Sequence, residues 1–259
     1  MAAQPKTALI TGSTSGIGLG IAKALAARGY TIMFNGLEPD GADIAAGVAK
    51  EHNIQYRFSA ANLMEESGVD ALAAEALQAF GRVDVLVNNA GIQHVSPIAT
   101  FPPEKYAAII ALNLNTAFYL TRLIWPGMAE AGWGRVVNIA SAHGLVASAF
   151  KSAYVASKHG IVGLTKALAL EGAEHGITVN AVCPGYVHTP IIDKQIADQM
   201  AAHNMTRDEV INKVMLDKQA IKSFIPIEAI AHAVLYLCDD LAATTTGIAL
   251  PIDGGWTAE

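Results

Sequence analysis

Charge is scarce in this chain of 259 residues: Asp, Glu, Lys and Arg make up only 15%, and the formal net charge is −6. No basic run occurs, so a nucleic-acid partner is not expected, because neutralising phosphates takes clustered Lys and Arg. Cysteine is nearly absent. Cys183 and Cys238 are far apart and form neither a metal-ligand spacing nor a disulfide framework, so no metal is expected and both thiols should be reduced and buried. Nowhere do about 18 apolar residues run together, which predicts no membrane span. The opening MAAQPKTALITG lacks the basic-then-apolar order of an export signal. A cytoplasmic protein with a small ligand is the expectation.

Hydrophobic residues are plentiful instead, at 52%. That is enough for a large core with apolar surface left for subunit contacts, so an oligomer is expected. No linker or repeat divides the chain, and residues 1–259 are read as one domain. Short β-branched runs near 7–11, 30–35, 54–58, 83–87, 134–140, 177–182 and 247–251 alternate with helical periods at about 16–28, 40–52, 65–80, 103–127, 152–174 and 226–238. This α/β alternation predicts a single-domain Rossmann fold, a doubly wound parallel sheet of about seven strands with helices on both faces. Ligands then belong at the carboxyl edge of the strands. The more polar stretch 188–222 inserts before the last βα unit and reads as a small helical lid, or else as a surface decoration.

The first strand, TALIT, empties into Gly12, Ser13, Thr14, Ser15, Gly16, Ile17 and Gly18, and a helix follows at once. Glycines permit the tight turn and let backbone N–H groups approach a pyrophosphate at the positive helix end. The spacing is GxxxGxG and not the GxGxxG of the usual fingerprint. A dinucleotide site is the reading, since strand and helix flank the loop. No Arg or Lys occurs within 13–15 or 35–40 to hold a 2′-phosphate, while Glu38 lies within reach of a ribose hydroxyl; this favours NAD over NADP. Asn88, Asn89, Ala90 and Gly91 close the fourth strand, where small residues let the chain pass beneath a nucleotide.

The fifth strand delivers Ser141 to the same edge. Tyr154 and Lys158 follow four residues apart at the start of a helix, which puts phenol and ammonium on one face. A fixed cation favours a phenolate, so Lys158 is expected to lower the pKa of Tyr154. Glycine loop, NNAG, strand-end serine and YxxxK, in this order over nearly the whole chain, resemble the short-chain dehydrogenase/reductase family.

The resemblance implies that Tyr154 exchanges a proton with the substrate oxygen, that Ser141 hydrogen-bonds that oxygen, and that Lys158 also holds the nicotinamide ribose. Asn113, in ALNLNTAF, would help keep a relay water. Pro184, Gly185, Val187 and Thr189 would lie at the nicotinamide end. Asn35, Asn62 and Leu63 would lie at the adenosine end, although the family usually shows an aspartate where Asn62 stands. Family members commonly form homotetramers through the helices at 103–127 and 152–174.

Residues on the same edge remain. A cation at a helix N-terminus, as Lys151 is, is electrostatically unfavourable, so an anion should compensate it. His143 follows Ser141 by two residues, Gln93 follows NNAGI, and Gln195 lies on the expected lid. Singly, such a histidine is as readily structural and such a lysine as readily solvated. Together the four suit a small carboxylate better than a sugar or acyl chain. A 3-oxoacyl reductase or sugar-alcohol dehydrogenase of the same fold would instead be indifferent to Lys151→Ala. A catalytically silent dinucleotide-binding regulator would need no Tyr154 and Lys158 together, and a serine hydrolase on Ser141 and His143 lacks the GxSxG elbow.

Overall fold

Leu9 and Ile10 point to opposite faces of one sheet, and the whole fold follows from that alternation. The computed structural model describes residues 5–189, 192, 196, 200 and 205–258. Among them, β1 (Thr7–Ile10), β2 (Thr31–Asn35), β3 (Tyr56–Ser59), β4 (Val85–Asn88), β5 (Gly134–Ile139), β6 (Ile177–Pro184) and β7 (Ala249–Ile252) pair in parallel, in the order β3-β2-β1-β4-β5-β6-β7. The order reverses between β1 and β4, which is where an open α/β sheet leaves its ligand crevice.

Helices α1 (Gly16–Ala27), α2 (Gly41–His52) and α3 (Glu66–Phe80) connect the first strands. Ile10, Ile32 and Val87 pack with Ile21 and Leu25 of α1 and with Ile230 and Val234 of a late helix, Ile227–Cys238. Leu9, Met33 and Leu86 pack on the other face with Leu72 of α3. Both faces are covered, so strands such as Val85–Asn88 are buried throughout and read as continuous apolar runs.

The helix expected at 103–127 is longer. It runs as α4 (Pro103–Ile110), a π-helical turn (Ala111–Asn115) and α5 (Thr116–Ala131). Pro126 does not stop it, and Gly132, at φ +63, does. Pro103–Ala131, with a mean hydropathy of 1.4 in its most apolar window, is long and apolar enough to cross a membrane by composition. Leu120, Ile124 and Met128 on one side of it are buried among α3 and sheet residues, while Tyr106 and Phe118 are exposed.

Helix α6 (Ser152–Gly172) follows β5. Within 188–222, the described residues hold a short helix at Arg207–Val210, capped reciprocally by Thr206 and Glu209, and a π turn at Ile211–Met215. Ile192, Ile196, Val210 and Met215 form a small apolar cluster of their own.

Candidate active site

The glycine loop closes because three of its positions have no Cβ. Gly12 and Gly16 take φ +60 and +52, and a Cβ on Gly18 would overlap the Gly12 carbonyl oxygen and stand 2.5 Å from Asn89 Nδ2. Asn89 Nδ2 donates to the carbonyls of Thr11 (2.9 Å) and Gly12 (3.0 Å), while Thr11 Oγ1 accepts from the N–H groups of Asn89 and Ala90, both at 2.9 Å. The NNAG turn is thus strapped to the loop. Ser15 starts α1 without a side-chain cap, and no acid stands in the first turn, so the helix end keeps its free N–H groups and positive field.

At the far end of β2 the two polar side chains, Asn35 and Glu38, divide. Asn35 is buried and its amide is spent on structure: Oδ1 accepts from Gly12 N–H (3.3 Å), and Nδ2 donates to the carbonyls of Ser59 (3.2 Å) and Ala61 (3.1 Å). It joins three strand ends. Glu38 reaches back to the loop instead, accepting from Ser15 Oγ at 2.7 Å and from Thr14 Oγ1. Burial pushes its carboxyl up, yet these hydroxyls outweigh that and hold it below the usual carboxylate range. Asn62 Oδ1 accepts from Met64 N–H (3.2 Å).

A cleft of about 840 Å³ runs from this end to the carboxyl edge of β5 and β6. Gly12, Ser15, Gly16, Ile17, Asn35, Asn62, Leu63, Asn89, Ala90 and Gly91 line it, and so do Pro184, Gly185, Val187 and Thr189. Thr14, Gly18 and Asn113 are absent from its lining and shape it from behind. The glycine cradle, the uncapped backbone N–H groups of α1 and the length of the cleft fit an extended dinucleotide, with Glu38 at the side of the loop.

At the other end Ser141 caps a short turn, Ala142–Gly144, its Oγ accepting from His143 N–H at 3.1 Å. Lys158 Nζ donates to the Ile139 carbonyl at 2.7 Å and stands 5.6 Å from the centre of the Tyr154 ring. Asn113 sits in the π turn, a common device for turning one residue toward a site. Its Oδ1 accepts from Ile92 N–H (2.9 Å) and its Nδ2 donates to the Ile92 carbonyl (3.0 Å) and Ser157 Oγ (3.2 Å). The side chain thereby fixes the NNAGI turn against α6.

The electrostatic expectation for Tyr154 is reversed. Burial pushes its phenol up, and a hydrogen bond with Ser141 opposes this only in part. The same burial lowers Lys158 to about 8. Both groups lose water together, and desolvation of the charged form is the leading cause at each.

Gln93, Ser141, His143, Lys151 and Tyr154 line one end of the cleft. Gln195 lies outside the described residues. Burial first, then the nearby Lys151, holds the His143 imidazole down at about 4, so it is neutral near pH 7; its Nε2 is 3.0 Å from Ser148 Oγ. Lys151 Nζ lies 5.7 Å from the centre of the Tyr186 ring, and burial lowers its pKa. Among the described residues no ion pair gives Lys151 an acidic partner.

Sequence reasoning did not assign the aromatic wall of this end. Trp256 stacks on Tyr186 (5.7 Å, 6°) and meets His143 edge-on (4.9 Å, 85°). The fully buried Gln219 supports it, with Oε1 accepting from Tyr186 N–H at 3.0 Å and Nε2 donating to the carbonyls of Ile221 and Ser223. Tyr186 adjoins Gly185 and Trp256 adjoins Gly255, which was the only signal available. No periodicity marks either.

A doubly wound sheet, a glycine cradle at its switch point and a Ser-Tyr-Lys group at the far end of one cleft define a dinucleotide-binding oxidoreductase. Residues 6–200 match the short chain dehydrogenase family, and the chain belongs to it. It is 51% identical over 259 residues to the D-beta-hydroxybutyrate dehydrogenase of Rhizobium meliloti (strain 1021), covering 98% of this chain and 99% of that protein. To the D-beta-hydroxybutyrate dehydrogenase of Cupriavidus necator it is 46% identical over 254 residues, 98% of each chain. A crystal structure of an actinorhodin polyketide ketoreductase variant with NADPH superposes with a TM-score of 0.93 at 35% identity, covering 100% of both chains.

Proposed function

We propose that the protein interconverts (R)-3-hydroxybutyrate and acetoacetate, with NAD as the hydride carrier. The observation that carries this reading is Lys151: a largely desolvated ammonium without an acidic partner among the described residues, in the same cleft as Ser141 and Tyr154. A substrate carboxylate supplies the missing charge, and Gln93 and neutral His143 supply uncharged donors beside it. Gln195 is proposed to complete this group. The names of the two hydroxybutyrate dehydrogenase relatives support the same substrate.

NAD, which the glycine loop and the 184–189 end of the cleft would hold, would supply the hydride acceptor for the carbinol carbon in oxidation and, as NADH, the donor in reduction. Tyr154 gives its phenolic proton to the ketone oxygen in the reductive direction and takes the hydroxyl proton in the oxidative one. Ser141 Oγ holds that oxygen during the exchange. Lys158 keeps a positive charge beside the phenol, and the Tyr186–Trp256 wall excludes water from it.

The experiment is the initial rate of NADH formation from (R)-3-hydroxybutyrate beside that from its methyl ester. Fast turnover of the acid and little of the ester supports carboxylate recognition. Equal turnover of both discards it. Lys151→Ala is expected to raise KM for the acid at least about tenfold, the equivalent of about 1.4 kcal/mol, with a smaller change in kcat.

Preference for NAD rests on Glu38, whose carboxylate occupies the mouth of the glycine loop and repels a 2′-phosphate dianion. Glu38→Ala should raise kcat/KM with NADP by about tenfold relative to NAD, a change on the order of 1.4 kcal/mol. An unchanged ratio in steady-state assays with both cofactors removes Glu38 from this role.

We also propose a cytoplasmic homotetramer. Tyr106 and Phe118, exposed on the Pro103–Ala131 helix at 49% and 46%, suit burial against another copy, and the two buried free thiols suit a reducing compartment.

A further inference from the structure

Among the described residues only two without the freedom of glycine have a positive φ, Asn53 and Phe150. Asn53 ends α2 at φ 52, and its short polar side chain makes that conformation ordinary. Phe150 at φ 66 is different, because a bulky side chain in the left-handed region is a genuine outlier that the surroundings must enforce. Its ring does not explain it, being 58% exposed.

The backbone does. Phe150 is the last residue before Lys151, which caps α6 and whose own carbonyl accepts from Val155 N–H at 2.8 Å. The turn at Phe150 aims its carbonyl at Ser96 N–H, 2.9 Å away. Ser96 lies in the loop that leaves the NNAGI turn through Gln93. One strained residue therefore latches the loop bearing Gln93 to the residue that enters the helix with Lys151.

We propose that Phe150 is a positioning residue for substrate specificity: its left-handed turn, latched by Ser96 N–H, fixes the spacing between Gln93 and Lys151 across the carboxylate site. This rests on the reading of those two residues as carboxylate donors. Without the turn, the backbone leading into α6 relaxes to an extended conformation, the latch opens, and Lys151 loses its fixed distance from Gln93. Strain retained beside a ligand site is a recurrent form of preorganisation.

The test separates backbone from ring. Phe150→Gly and Phe150→Asn keep the left-handed conformation without the phenyl ring, whereas Phe150→Val resists it through β-branching. Phe150→Val is expected to raise KM for (R)-3-hydroxybutyrate about tenfold or more, leaving KM for NAD and kcat within about threefold; the Gly and Asn variants should hold all three within about twofold. An unchanged KM in Phe150→Val overturns the proposal. So does a rise in the Gly and Asn variants, which would assign the effect to the ring. If the Val variant does not fold, Phe150→Ala, which also disfavours the left-handed turn but carries no branch at Cβ, decides by the same KM readings. Lys151→Ala run in parallel distinguishes the two levels. Should it leave KM for the acid unchanged, the carboxylate reading fails; should it raise KM while Phe150→Val does not, only the positioning role fails.

Discussion

Tyr154→Phe is expected to lower turnover by about 10²- to 10⁴-fold, the usual worth of a positioned acid-base group, while NADH binds as before. The change removes only the phenolic oxygen. The ring can keep its edge contact with His143 (5.9 Å, 76°) and its place beneath Lys158, so the cleft retains its shape. Because burial raises the pKa of Tyr154, the neutral phenol dominates at pH 7 and the phenolate gains with rising pH. The oxidative rate of the parent should therefore climb toward alkaline pH, and the variant's residual rate should not follow it. Stopped-flow and steady-state rates across pH provide the check. Turnover within tenfold of the parent would remove Tyr154 from the chemistry.

Gly18→Ala is expected to abolish tight dinucleotide binding and to lower Tm. Helix propensity favours Ala over Gly by about 1 kcal/mol, so a propensity argument alone predicts stabilisation. Sterics decide the sign. The new Cβ would overlap the Gly12 carbonyl oxygen and crowd Asn89 Nδ2, so either α1 moves off the loop or the Asn89 strap breaks. Overpacking of this kind costs about 1–3 kcal/mol, and the backbone it displaces is the proposed phosphate cradle. Gly47→Ala is the control: nothing lies within 4 Å of its added Cβ in α2, and it should be neutral or slightly stabilising. NADH fluorescence titration and thermal melts of both variants test the contrast. Wild-type affinity in Gly18→Ala would mean that the loop is not the cradle.

The sequence alone carried the sheet, and it placed Ser141, Tyr154 and Lys158 at one end of the candidate cleft, because those signals are local. Residues 8–10 form a continuous apolar run, α1 begins just past the short glycine loop that follows it, and Tyr154 and Lys158 share a helix face four residues apart. Such spacings survive any arrangement of the rest. Gln93, His143 and Lys151, polar residues beside strand ends and a helix start, line the cleft that the topology predicts. What sequence could not settle depends on groups brought together from far along the chain. Asn35 is consumed by Gly12, Ser59 and Ala61, and Glu38, three residues on, turns to Thr14 and Ser15. Trp256 meets Tyr186 and His143, which lie on separate segments, to make a wall that no period in the sequence announces. The sign of the shift at Tyr154 was decided by tertiary structure as well. A lysine four residues away predicts a lowered phenol, but burial acts on phenol and ammonium alike, and only the packed fold fixes how much water each one loses.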